Sequence, residues 1–282
     1  MLEISREKIE QIKTKKYRLL DEYRIRDINE AYNFINKLGT VAVYSDKILP
    51  NLYDAVYSKE KPRSDGWNWD RIERTWHFAL DLAKERKIYY GKLLRKKNIL
   101  IPIKLFPNFY KLYAKSDYLK EYHDGNLTKT AKDIMQVLSS KTFLSTDDIR
   151  VSLSFHKKEG TKRLHKGLVE LQEKGMISCV GSIKGKSNWD VFVWGILKRW
   201  LPVEVMERAK ILTRDKAVRN LTKQFIDTKT ITTLSEIRRF FNLDENEVDG
   251  TVAYLLKKRT VSFCSVENKR YLIFKKNWLK EL

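Results

Sequence analysis

Residues 161–194 read TKRLHKGLVELQEKGMISCVGSIKGKSNWDVFVW, and this stretch decides the fold. Leu164, Leu168 and Leu171 recur at spacings of four and three, which places them on one face of a helix over about 161–174. Gly175 ends that helix. Beyond it the pattern becomes two strands, 177–183 and 189–194, around the tip Lys184-Gly185-Lys186-Ser187-Asn188. Upstream, the pattern predicts a helix over 128–138. Ser145, with Asp148 three residues on, caps another. Three helices followed by a hairpin is the order of a winged helix.

The same order recurs on both sides. Toward the N-terminus a helix over 1–20 carries Leu2, Ile9, Ile12, Leu19 and Leu20, and a second over 26–37 stops at Gly39. A strand over 40–44, a polar loop over 60–66 and a helix over 70–86, capped by Asp70 with Glu73, follow. A hairpin over 88–94 and 99–104 then turns at Arg95-Lys96-Lys97-Asn98. Toward the C-terminus, helices over 215–225, 233–241 and 244–258 precede strands over 261–264 and 271–274. Thr233 with Glu236 and Asp244 with Glu247 are two further capping boxes. The expected class is mainly α with short β-hairpins (α+β), as three tandem winged-helix units over 1–124, 125–202 and 203–282.

The 282 residues include 57 Lys and Arg against 36 Asp and Glu, a formal charge of +21. The excess is +1 over residues 1–60, +9 over 61–120, +5 over 121–200 and +6 over 201–282, so folded surfaces present it rather than one tail. Solubility needs a charge of only about 2–8 in a small domain, which points to a polyanion partner. The longest charge-free apolar run, near 99–103, is too short for a bilayer, and residues 1–16 lack the apolar core of a secretion signal. A cytoplasmic, nucleoid-associated protein is expected. Cys179 and Cys264 make no disulfide framework, and His77, His123, His156 and His165 have no metal-ligand spacing. Neither metal nor cofactor is expected.

In a winged helix the third helix enters the groove while the wing and the preceding helix hold phosphates. In the middle unit that assigns double-stranded DNA to Lys162, Arg163, His165 and Lys166 on the helix, with Lys184 and Lys186 on the wing. In the first unit Lys92, Arg95, Lys96 and Lys97 take the same part. A solvated basic face is the alternative. The last unit's third helix opens with Asp244, Glu245, Glu247 and Asp249, which repel phosphate, so that unit reads as structural. Trp67, Trp69 and Trp76, with Tyr89, Tyr90, Phe106, Phe109, Tyr110 and Tyr113, offer stacking surfaces, though core packing accounts for most of them.

The first unit resembles the winged-helix family of bacterial interstrand-crosslink DNA glycosylases (AlkZ/YcaQ). The residues that carry the likeness are Leu38-Gly39-Thr40-Val41-Ala42-Val43-Tyr44, Leu49 to Val56, Ile88 to Leu94 and Ile101 to Pro107. Trp189 and Arg199-Trp200-Leu201-Pro202 resemble the family's second unit. The resemblance implies tandem winged helices around a basic DNA channel. It also implies a Gln-x-Gln or Gln-x-Asp pair, after Leu-Gly, that positions the water releasing an alkylated base. Those two positions fall on Ala42 and Tyr44 here. Alanine orients no water, and a phenol with a reference pKa of about 10 is a poor base near neutrality. Asp46 and Asp54 are the nearest carboxylates able to substitute. The expectation is a monomeric DNA-binding protein, glycosylase-like but without base excision. An active glycosylase of altered mechanism and a transcription regulator are the alternatives.

Overall fold

The computed structural model describes residues 2–64, 66–185 and 190–274. Two compact units account for the chain: residues 79–211 form one, and residues 1–78 join 212–282 to form the other.

In the 79–211 unit an antiparallel sheet runs in the order Ile99–Pro102, Ile88–Gly91, Ile177–Lys184, Asp190–Ile196, Phe143–Ser145. Two hairpins distant in sequence share this sheet because Tyr90 lies opposite Cys179. Helices Lys129–Ser139, Thr146–Ser152 and Lys158–Glu173 accompany the second hairpin. The Ser145 hydroxyl accepts the Asp148 amide while the Asp148 carboxylate accepts the Ser145 amide, a complete capping box. Leu164, Leu168 and Leu171 are buried with Ile134 and Leu138, at about 1.5–3 kcal/mol per side chain.

The Lys158–Glu173 helix starts three residues before the sequence pattern suggested. The Thr161 amide already bonds to the Lys157 carbonyl, so Thr161 lies inside the first turn. The structure adds helices Phe106–Tyr113 and Tyr118–His123, which the sequence pattern does not predict. The first buries Phe106 and Phe109, with Phe106 stacked on Tyr89 at 4.7 Å, so these aromatics are core. Lys186 and Trp189 fall outside the described residues.

The other unit is closed by chain segments far apart in sequence. Strand Leu2–Glu3 runs parallel to Val261–Val266, which pairs antiparallel with Lys269–Phe274. Ile4 and Ile9 thereby pack with Cys264, Val266 and Ile273. The first helix covers only Arg6–Lys16; Arg18 takes a positive φ of 57°, and Leu19 and Leu20 are exposed rather than apolar-face residues. Helices Arg214–Lys229, Leu234–Phe241 and Glu245–Lys257 precede the hairpin, and Thr233 with Glu236 forms the expected capping box. Asp244 accepts the Glu247 amide, capping the last of these helices. Asp70 is no cap: helix Trp69–Lys84 begins before it, and the Asn68 Oδ1 accepts the Arg71 amide.

Gly39 ends the helix Ile28–Leu38 with φ at 79°. A Cβ there would meet the Gln224 Cγ at 2.5 Å, and Gln224 Nε2 donates to the Leu38 carbonyl at 3.1 Å. Gly39→Ala therefore combines a left-handed backbone with loss of that hydrogen bond. It should lower stability by about 1–3 kcal/mol, read as a fall in the urea midpoint with unchanged slope.

Candidate nucleic-acid interface

The strand after Leu38-Gly39 is short, Val41–Ala42, and wholly buried. The Ala42 amide donates to the Pro50 carbonyl at 2.9 Å, and Val43 accepts from the Tyr53 amide at 3.1 Å. These two bonds tie 41–43 to the Leu52–Ala55 helix, so the side chain at 42 is a methyl inside the fold. Tyr44 is half-buried with its ring 6.1 Å from that of Tyr53. Burial, with Tyr53 beside it, raises the Tyr44 phenol above its ordinary value, so it stays protonated near neutrality.

The two nearby carboxylates are both held in local hydrogen bonds. Asp46 Oδ1 accepts the amides of Ile48 and Leu49 at 2.7 and 3.0 Å, holding the loop. Asp54 accepts Asn51 Nδ2 at 2.6 Å, while Asn51 Oδ1 caps the short helix by accepting the Asp54 amide.

An arginine–aromatic surface borders this strand. Tyr53, whose hydroxyl accepts the Asn68 amide, lies 5.6 Å from the Trp67 ring and 5.5 Å below the Arg71 guanidinium. Trp67 and Trp69 are 44% and 47% exposed, so within the aromatic set these two are surface residues. Arg63 lies over Trp69 at 5.5 Å. Arg74 donates to the Arg26 carbonyl at 2.6 Å, and Arg26 covers the Tyr57 ring at 4.0 Å. Burial, with Arg24 close by, lowers the Arg71 pKa from its ordinary value, and Tyr53, Asp54 and Asp21 oppose that shift. The signal was present in the sequence: Trp67-Asn68-Trp69 sits between a polar loop and a helix N-terminus, with Arg71 and Arg74 one turn apart.

The other predicted contacts all fall in the 79–211 unit, whose sequence holds 27 basic and 14 acidic residues. Arg95, Lys96 and Lys97 are exposed at the turn after strand Ile88–Gly91, Arg95 and Lys96 with φ near 55°. Lys162, Arg163, His165 and Lys166 are exposed on the Lys158–Glu173 helix, with Arg163 over the Phe155 ring at 5.1 Å. Lys184 is exposed but pairs with Asp190 at 3.1 Å. Lys92 is half-buried; its amide donates to Gln172 Oε1 at 3.0 Å, and it shares a cavity with His165. Burial first, then Arg150 and Lys92, lowers the His165 pKa, so this imidazole is neutral near neutrality.

Two of the four carboxylates at the start of helix Glu245–Lys257 are paired with arginines of the same unit. Glu247 accepts Arg214 Nε at 2.6 Å, and Glu245 lies 2.7 Å from Arg238. Among the described residues no three His, Cys, Asp or Glu side chains converge on a metal position, and no helix is long and apolar enough to cross a membrane.

The chain is similar in fold to the solved structure of Streptomyces sahachiroi DNA glycosylase AlkZ. The TM-score is 0.61 over 99% of this chain and 72% of that one, at 12% sequence identity. No curated protein matches the sequence. Residues 25–242, which contain the Leu38-Gly39 turn, the arginine–aromatic surface and both basic hairpin regions, match the family described as AlkZ related, and the chain belongs to that family.

Proposed function

We propose that the protein binds double-stranded DNA in the manner of a repair glycosylase but does not excise bases. The observation that carries this reading is the buried methyl of Ala42 beside the protonated Tyr44 phenol, where the resemblance calls for a water-activating pair. Asp46 and Asp54 do not restore the chemistry, because each is held in a turn or cap hydrogen bond. Binding is supported by the exposed cations of helix Lys158–Glu173 and of the turn at Arg95, read as third helix and wing of tandem winged-helix units. Trp67, Trp69, Arg63 and Arg71 extend the same reading to the other unit. A monomer fits, since no long heptad seam is present in the sequence.

The test incubates the protein with alkylated duplex DNA and scores abasic sites. Expected is a shifted complex with no abasic sites above the protein-free control. Abasic sites that vanish in Asp46→Asn or Asp54→Asn would replace the binding-only reading with an altered glycosylase. A footprint confined to one sequence, with strong discrimination over random DNA, would favour a regulator.

A further inference from the structure

A cavity of about 350 Å³ lies wholly within the 79–211 unit, against both of its hairpins and the Lys158–Glu173 helix. That volume lies in the range of about 300–1,000 Å³ typical of small-molecule sites. Tyr90, Phe192 and Trp194 supply aromatic walls, with Phe192 5.8 Å from Tyr90 edge-on and 5.6 Å from Trp194. The Trp194 ring is fixed, since its Nε1–H donates to the Thr146 hydroxyl at 2.9 Å. Gln172 is fixed as well, donating to the Leu168 carbonyl and accepting the Lys92 amide. The walls are thus set before any ligand arrives.

The ionisable groups of the lining other than the phenol and thiol are Lys92 and His165, and no carboxylate is among the described lining residues. No acidic side chain pairs with Lys92 among the described residues, whereas Arg150, close to His165, is paired with Asp147, so the free charge of the lining is that of Lys92. An aromatic slot with unneutralised positive charge suits a flat ring that carries an anion. Lys162, His165, Lys166 and Val169 share one face of the helix by their three- and four-residue spacing, and His165 and Val169 line the cavity. The exposed cations of the helix therefore lead directly into the slot.

We propose that this cavity holds a single nucleotide, its base against Phe192 and Trp194 and its phosphate at Lys92. Neither Ala42 nor Tyr44 is among the lining residues. Its ligand chemistry, a nucleobase with one phosphate, can come from a free mononucleotide or from a nucleotide displaced from DNA. Only the second source rests on the DNA-binding reading.

Calorimetry of the full-length protein with deoxyadenosine monophosphate and with deoxyadenosine tests the idea. Expected is saturable binding of the monophosphate, tighter than the nucleoside. Phe192→Leu, which keeps apolar volume and removes the ring, should weaken the monophosphate by about tenfold. Lys92→Gln should remove most of the monophosphate's advantage over the nucleoside, and it carries the test should Phe192→Leu not fold. Competition by single-stranded DNA assigns the site to displaced nucleotides; lack of competition with retained monophosphate binding assigns it to free ones. The proposal fails if no saturable binding appears at millimolar monophosphate, or if binding is unchanged in Lys92→Gln. Intact duplex binding beside a silent cavity removes this inference alone, whereas monophosphate binding without duplex binding removes the DNA reading and leaves the cavity.

Discussion

Raising monovalent salt from about 50 to about 200 mM should weaken duplex DNA binding by about a thousandfold. The size follows from the cations available. Arg95, Lys96, Lys97, Lys162, Arg163 and Lys166 are all exposed in the 79–211 unit, and no carboxylate forms a salt bridge with them among the described residues. Lys184 is left out because Asp190 already neutralises it. Six neutralised phosphates give a slope of log affinity against log salt of about −5, since each contact releases about 0.9 of a counterion. Fourfold more salt then costs about three powers of ten. The double variant Arg163→Glu with Lys166→Glu should flatten the slope by about two units and weaken all duplexes alike, because phosphate contacts carry no base information. Fluorescence anisotropy across a salt series reads both effects. A flat titration, or no complex at the lowest salt, would remove nucleic acid from the account of this charge.

These cations were legible in the sequence because their placement depends on local rules. A period of 3.6 over Leu164, Leu168 and Leu171, a glycine stop and a strand–turn–strand pattern assign the exposed face with no knowledge of the rest of the fold. The caps at Ser145 and Thr233 were visible for the same reason, since each is closed within four residues. What escaped was set by distant contacts or by the other use of an ambiguous residue. Strand Leu2–Glu3 has only two residues and no period; it exists because Val261–Val266 offers it an edge. Helix Phe106–Tyr113 carries a readable mark in Pro107, a residue at home in a first helical turn, yet its eight residues are too few for a clear helical period. Trp67 and Trp69 belong to an aromatic set that core packing mostly explains, and their exposure beside Arg63 and Arg71 makes them surface members of it. For Asp46 and Asp54 composition alone offers a base or a structural residue, and the hydrogen bonds give Asp46 a loop turn and Asp54 a partner in the capping residue Asn51.

The largest stability change should come from Phe225→Ala. Phe225 sits on the Arg214–Lys229 helix with 3% of its surface exposed. Its ring stacks on Phe240 at 4.6 Å and meets Phe241 edge-on at 5.4 Å, while Phe240 and Phe241 are themselves perpendicular at 4.8 Å. Both partners lie on the Leu234–Phe241 helix, so three rings join two helices of one unit. Truncation leaves a cavity between rigid rings that cannot collapse into it, which sets the cost at about 3–5 kcal/mol. Against a total stability of about 5–15 kcal/mol that is a large fraction. Phe225→Leu retains most of the volume and should cost less, with the ring–ring term of about 0.5–1.5 kcal/mol as its main loss. A double-mutant cycle of Phe225→Leu with Phe240→Leu isolates that term, because the two rings touch and their effects should not add. Urea unfolding followed by circular dichroism measures all of these. A Phe225→Ala unfolding free energy within about 1 kcal/mol of the parent protein would show that the three rings do not hold these helices together.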